Sequence, residues 1–374
     1  MNVLGPPLRF IERTRVVFEG KTYVFFGGND YHRLSSHPRV VEAFCEAARA
    51  HGLNSAGSRT TTGNHPLYLE LERALARFLG VEACAVLASG YLANLVLLQA
   101  VGSDFQRFFI DAAAHASLCD AAALLPPGAV HRFAHTDPED LAAQMRAHLA
   151  PGETPLVLTD GVFPSRGEMA PLSAYRRAVE DAGGRILIDD AHGVAVAGAT
   201  GKGSAEEHGL PAGLVLATGT LSKGFGAFGG FVAGSDELIG AVRERSAAFI
   251  GSTGMSIPLA AAGIASLDVL TKTPAMIASL RRRVAAAKER LRALGFDAPD
   301  SPAAILSVTL GDAAANEALG AALRDAGIYP PFINYPGCPP GGHFRFTLSS
   351  AHTDAEVETL LAVIAGRASP RGAR

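Results

Sequence analysis

Between about residues 84 and 234 short apolar runs alternate with helical patterns, and this alternation narrows the possible folds more than any other feature. The runs are CAVLAS at 84–89, RFFID at 107–111, VHRF at 130–133, PLVLTDG at 155–161, RILIDDA at 185–191, GLVLATGT at 213–220 and GGFVAG at 229–234. Many are apolar on both faces, so neither face can be left in water, and a mostly parallel sheet covered by helices meets that demand. Intervening stretches such as 172–182 have helical spacing and stop at glycines, here Gly183-Gly184. The pattern predicts an α/β chain with a large, mostly parallel sheet.

Beyond residue 256 the pattern changes. Ile277, Leu280, Val284, Leu291 and Leu294 fall at helical spacing, Gly295 ends the run, and Lys288 reads as part of the solvated charged face. A strand at 305–310, a helix at 314–326, a Pro/Gly-rich loop at 329–342 and a strand at 343–348 follow. The last helix opens with Thr353-x-x-Glu356, a capping box in which each side chain satisfies an orphan backbone donor. This predicts a smaller α+β domain. The expected division is 1–45 as N-terminal arm and start of the small domain, 46–255 as large domain, and 256–374 as linking helix and small domain. A chain of 374 residues, 48% hydrophobic and 18% charged, has the material for two cores.

A net charge of −3 gives no basic footprint for nucleic acid, and Arg281-Arg282-Arg283 reads as a solvated helix face. The start MNVLGPPLRFIERTR lacks the order of a secretory signal, and no apolar stretch is long enough to span a bilayer, so a cytoplasmic protein is expected. Cys45, Cys84, Cys119 and Cys338 are far apart with no zinc spacing, which predicts reduced thiols and no metal site.

Lysine is scarce, which makes its chemistry tractable by elimination. Lys21 lies in a Gly-Lys turn, and Lys202 lies in GATGKGS without the Ser/Thr that a phosphate-binding Walker loop requires. Lys272 and Lys288 read as solvated, which leaves Lys223 in TGTLSKGFG, after a buried strand and among small residues. A desolvated lysine loses its charge readily and can act as nucleophile or form a Schiff base. An ordinary loop charge is the competing reading.

Asp189, Asp190 and His192 in ILIDDAHG stand at the carboxyl end of another apolar strand, where α/β sheets place ligands. Asp190 as a helix cap is the structural alternative for one of them. Ser89-Gly90-Tyr91-Leu-Ala-Asn94 joins a strand to a helical run, and donors at a helix start bind phosphate, although any such turn can carry Ser-Gly. His115, in Asp111-Ala-Ala-Ala-His115-Ala-Ser117, follows a further strand, although a lone histidine is more often structural than catalytic. Together these offer a Schiff-base lysine, a carboxylate for a ring nitrogen, a phosphate turn and an imidazole to stack on a ring. That set suits pyridoxal 5′-phosphate (PLP).

With those residues in place, the chain resembles the α-oxoamine synthases, fold-type I PLP enzymes that condense an amino acid with an acyl thioester. The resemblance runs through Asn29-Asp-Tyr31, Gly57-Ser58-Arg59, Ser89-Gly-Tyr91, His115-Ala-Ser117, Asp160-Gly-Val-Phe163, Asp189-Asp-Ala-His-Gly193, Thr220-x-x-Lys223-x-x-Gly226, Ser252-Thr253 and His343-Phe-Arg345. Related aminotransferases usually have tyrosine where His192 stands. The resemblance implies that Lys223 carries PLP and moves the substrate's Cα proton, that Asp189 pairs with the pyridine nitrogen, that His192 bonds the ring hydroxyl and that His115 stacks on the ring. It further implies cofactor contacts from Ser89, Gly90, Tyr91, Thr220 and Ser222, and from Ser252 or Thr253 across a homodimer interface. Asn29 and Arg345 would fix the amino acid's carboxylate, with Ser58 and the N-terminal Arg13 or Arg15 as further substrate contacts.

The implied reaction joins a small amino acid, alanine first, to an acyl-CoA or acyl-carrier thioester, with loss of carbon dioxide, as in 8-amino-7-oxononanoate synthases of biotin synthesis. Glycine or serine as the amino acid, or an aminotransferase or lyase reaction, are the alternatives. Three departures from the family pattern bear on substrate. Pro164-Ser-Arg-Gly-Glu168 stands where Ser-Met-Asp-Gly-Asp is usual, and Asn54 and Ala56 replace glycines. Ile333-Asn-Tyr-Pro336 resembles the 5-aminolevulinate synthases in place of the Arg-Pro-Pro-Thr common in 8-amino-7-oxononanoate synthases.

Overall fold

A computed structural model describes residues 5–334 and 341–367. Cys338 and the Tyr335-Pro336-Gly337 part of the substrate loop lie outside the described residues. The chain opens with three short antiparallel strands, β1 (Arg9–Glu12), β2 (Arg15–Phe18) and β3 (Lys21–Val24). Val16, Tyr23 and Phe25 form their small core.

The central sheet contains β4 (Ala83–Leu87), β5 (Arg107–Asp111), β6 (Val130–Phe133), β7 (Pro155–Asp160), β8 (Arg185–Asp189), β9 (Val215–Thr220) and β10 (Gly230–Gly234). Its order is β4-β10-β9-β8-β7-β5-β6. The strands from β9 through β6 are mutually parallel, whereas β10 runs antiparallel to both β9 and β4. Two reversals restore the original direction, so β4 ends at the same edge as β9. Loops after β4, β5, β7, β8 and β9 therefore open on one side of the sheet, at the end where such sheets bind ligands.

Burial holds this arrangement. All six residues of β7 are buried, as expected for a strand covered on both faces, and each large apolar side chain so buried stabilises by about 1.5–3 kcal/mol. Register also places function. Asp160 lies level with Asp189, and Asp189 with Thr218, so polar groups at three neighbouring strand ends meet at one height.

The smaller sheet, β11 (Ile305–Val308), β12 (Phe332–Ile333) and β13 (His343–Thr347), is antiparallel in the order β11-β13-β12. Helices Ala275–Ala293, Ala313–Asp325 and Asp354–Ala365 supply its core, together with Phe26 and Tyr31 from the N-terminal segment. The Thr347 amide donates to the Phe26 carbonyl at 2.6 Å, which fastens the arm to β13. The Thr353–Glu356 capping box is formed in full. No described helix is long and apolar enough to cross a membrane.

Lys288 departs from its expected solvated position: it is 2% exposed, and its amine donates to the Ser301 carbonyl and hydroxyl, each at 2.8 Å. Residue 288 stands four after Val284 and three before Leu291, on the apolar stripe itself. Helical spacing outranked the side chain's charge.

Candidate active site

Lys223 stands three residues after the end of β9, in a loop tied by Thr220, whose hydroxyl donates to the Gly229 carbonyl at 2.8 Å and accepts from the Ser222 amide at 3.1 Å. Its Nζ is 2.7 Å from His192 Nε2. Burial lowers its pKa to about 8, with Asp189 and Asp160 pulling the other way. On the far side of the imidazole, His192 Nδ1 is 2.6 Å from the Tyr31 hydroxyl. Burial holds His192 well below the usual histidine range, with the positive charges of Lys223 and Arg345 adding to it, and burial pushes Tyr31 up to about 12. A neutral imidazole carries one N–H, so a proton donated to one ring nitrogen leaves from the other. Tyr31, His192 and Lys223 therefore form a buried path of two hydrogen bonds ending on the amine.

Asp189 is 6% exposed and accepts from Asn94 Nδ2 at 2.7 Å and from the Ala191 amide at 3.1 Å. Asn94 is itself oriented by the Thr218 hydroxyl, which donates to its Oδ1 at 2.7 Å. Among the described residues Asp189 has no ion-pair partner within 4.0 Å. A buried, uncompensated carboxylate is destabilising, and it is relieved by a ligand that presents a positive N–H. Asp190 serves structure instead, accepting from the Ser204 amide and hydroxyl at 2.7 and 2.6 Å to cap the next short helix.

His115 precedes the helix Ala116–Ala122, with Nδ1 2.8 Å from the Ser117 hydroxyl and its backbone amide donating to Asp160 at 2.8 Å. Burial lowers its pKa. Burial also drives the Asp160 carboxyl well above the carboxylate range, with Asp189's charge in support. The 89–91 turn arrives from β4. Gly90 begins the helix Tyr91–Val101 with no side-chain cap, and a Cβ there would lie 2.7 Å from Thr220 Cβ, so only glycine lets the two loops touch. The helix start, where the Tyr91 amide donates to the Ser89 hydroxyl at 3.2 Å and Thr220 closes against Gly90, offers donors and hydroxyls that can take an anion. Tyr91 stays 47% exposed, with its hydroxyl donating to Asp120.

Arg345 on β13 is 9% exposed and donates from Nε to the Pro164 carbonyl at 2.6 Å, from Nη1 to Thr347 Oγ1 at 3.3 Å and from Nη2 to Asn29 Oδ1 at 3.0 Å. Among the described residues one N–H on each Nη has no partner, a pair matched to a carboxylate. Its positive charge is felt at Tyr31, His192 and Lys223.

Other expected residues lie elsewhere. Ser58 and Thr253 are joined in an isolated bridge, Ser252 and Thr253 are exposed, and no hydrogen bond among the described residues links them to the Lys223 cluster. Arg15, expected at the substrate, has a partner of its own in this chain. As part of β2 it pairs with Glu356 of the capping box, and Arg13 donates to the backbone of His32 and Arg33. Tyr31, Asn94, Ser117 and Asp160 are contributions that had no assigned role. Each sits inside a motif quoted above, but the partner that gives it a role is tens of residues away in sequence.

The donor set fits PLP: an amine with pKa near 8, an unpaired buried carboxylate, a neutral imidazole and an uncapped helix start. Comparison with known proteins agrees. The aminotransferase class I and II profile matches residues 21–364. The chain is 35% identical over 355 residues to the 8-amino-7-oxononanoate synthase of Geobacter metallireducens, covering 94% of this chain and 90% of that one. It is 33% identical over 374 residues to a 4-hydroxy-2,2'-bipyrrole-5-methanol synthase of Serratia, covering 97% of this chain and 56% of that longer protein. The serine palmitoyltransferase of S. paucimobilis, solved with bound PLP, superposes with a TM-score of 0.87 at 27% identity, covering 96% of this chain and 90% of that one.

The chain thus belongs to the aminotransferase class I and II family and has the fold-type I architecture of PLP enzymes. Within that family it is an α-oxoamine synthase-like enzyme, and PLP is its cofactor.

Proposed function

We propose that this enzyme joins a small amino acid, alanine first, to an acyl-CoA or acyl-carrier thioester, releasing the thiol and carbon dioxide and yielding an α-amino ketone. The Lys223 amine on the neutral His192 path, within electrostatic reach of the Arg345 guanidinium, carries this reading. Lys223, Asp189, His192 and His115 would hold PLP, with Ser89, Gly90, Tyr91, Thr220 and Ser222 around its phosphate. When bound, PLP supplies a sink for the electrons left at the substrate Cα. Lys223, with a pKa near 8, takes and returns a proton at that carbon, and His192 and Tyr31 steady the amine. Arg345 grips the substrate carboxylate through its two remaining N–H groups, with Asn29 fixing the plane. Decarboxylation removes the charge that Arg345 holds, which favours release of the amino ketone.

Ser58, Ser252 and Thr253 are surface residues of one chain, and the reading gives them to the site of a second copy in a homodimer. The domain division at residues 45 and 255 belongs to the same proposal, as does a place in biotin synthesis. The likeness to 8-amino-7-oxononanoate synthases over nearly the whole chain supports alanine. Serine is the second reading, favoured by the superposition on serine palmitoyltransferase. A screen of alanine, glycine and serine against acyl-CoAs, followed by free thiol and carbon dioxide, tests it. Equal release of both products supports acyl transfer, whereas a keto acid without thiol overturns it.

A further inference from the structure

The hairpin 162–169 lies between the two sheets and is pinned from both. It is closed by the Val162–Met169 bridge, by the Phe163 amide donating to the Glu168 carbonyl at 2.9 Å and by the Gly167 amide donating to the Phe163 carbonyl at 3.1 Å. From the large sheet, His135 joins buried Asp111 at 2.9 Å and reaches Glu168 at 3.8 Å. From the small sheet, Arg166 pairs with Asp297, and the Ser301 hydroxyl donates to the Gly167 carbonyl. Ser301 is in turn held by Lys288, whose amine donates to both its carbonyl and its hydroxyl oxygen. Gly167 has φ +76°, and a Cβ there would come 3.0 Å from Ile305 Cβ, so the turn is seated directly on β11.

The seat has a consequence at the other end of the hairpin. The Pro164 carbonyl accepts from Arg345 Nε at 2.6 Å, and that bond, with Asn29 and Thr347, fixes the guanidinium plane. We propose that Lys288 is a positioning residue for substrate recognition, which through Ser301 and the hairpin 162–169 sets the orientation in which Arg345 meets the amino acid's carboxylate. The inference rests on the carboxylate role given to Arg345 above. Packing does not account for the amine: methionine would fill the same space without desolvating a polar group. The two hydrogen bonds to Ser301 do account for it, and no carboxylate lies within ion-pair distance of Lys288 among the described residues.

Lys288→Met and Ser301→Ala each cut the link at a different point, so one remains informative where the other fails to fold. Measured on the PLP-loaded enzyme, the KM for the amino acid rises about tenfold in each, the loss of roughly one hydrogen bond to a charged group, while kcat and the thioester KM stay within about twofold. Hydrogen exchange at the Phe163 and Gly167 amides quickens in both variants, a readout independent of turnover. Unchanged exchange in both variants overturns the link from Lys288 to the hairpin. Faster exchange with unchanged amino-acid KM, while Arg345→Leu raises that KM, overturns the coupling and leaves the Arg345 role standing. Unchanged amino-acid KM in Arg345→Leu overturns that role, and the proposal with it.

Discussion

Lys288 is buried and Lys223 half-buried, and desolvation lowers both pKa values, that of Lys223 to about 8 and that of Lys288 to about 7. Around Lys223 stand an imidazole and buried carboxylates at strand ends where loops open to ligand, and the charge of Arg345 reaches it from the small sheet. Lys288 lies in the core of the small sheet and, among the described residues, bonds only to Ser301. A shifted lysine is therefore no sign of catalysis in itself. The chemical role follows from the partners, and from the edge of the sheet on which the group stands.

The sharpest way to break this contrast is to remove each amine. Lys223→Ala is expected to lower turnover by about 10³-fold or more while thermal unfolding changes little, as followed by carbon dioxide release and by melting. Arg345→Leu comes next. Loss of a charge-assisted carboxylate grip is expected to raise the amino-acid KM by roughly 10- to 100-fold, with PLP retained and read from its visible absorbance.

Tyr31→Phe sharpens the Lys223 side. In heavy water, without thioester, Cα hydrogen exchange of the amino acid rises with pH through about 8, because Lys223 acts as base only once its proton is lost. The variant lowers the plateau by roughly five- to tenfold, the scale of one buried hydrogen bond. An unchanged plateau would remove Tyr31 from the path.

Lys288→Met gives the smallest effect on turnover and a distinct one on stability. Between about pH 7 and the ordinary lysine value, the unfolded chain binds a proton that folded Lys288 has released, so wild-type stability rises with pH across that window. Relative to Lys288→Met, urea midpoints converted to free energy should show a slope of up to about 1.4 kcal/mol per pH unit. Equal slopes in the two proteins would mean that Lys288 is not held in a desolvated state.

The inner strands of the large sheet were legible because burial on both faces leaves unbroken apolar runs, and RFFID matches β5 residue for residue. Lys223, Asp189, His192 and His115 were legible as candidates because each follows such a run. Lys288 was misread although Val284 and Leu291 bracket it at helical spacing, since a charged side chain was given more weight than its position. The Arg345–Pro164 bond and the anchoring of Glu168 by His135 join residues from separate segments, and no local pattern announces them. The pairing of Arg15 with Glu356 was hidden for the same reason: the two are 341 residues apart.

The central claim is that of the two desolvated amines only Lys223 meets the cofactor. Borohydride reduction of the PLP-loaded enzyme, followed by peptide mapping, tests it directly. The account predicts a single pyridoxyl label on Lys223, within the peptide spanning Thr218–Gly226, and no label in Lys223→Ala. A label on Lys288 or any other lysine, or one that persists in Lys223→Ala, would contradict it.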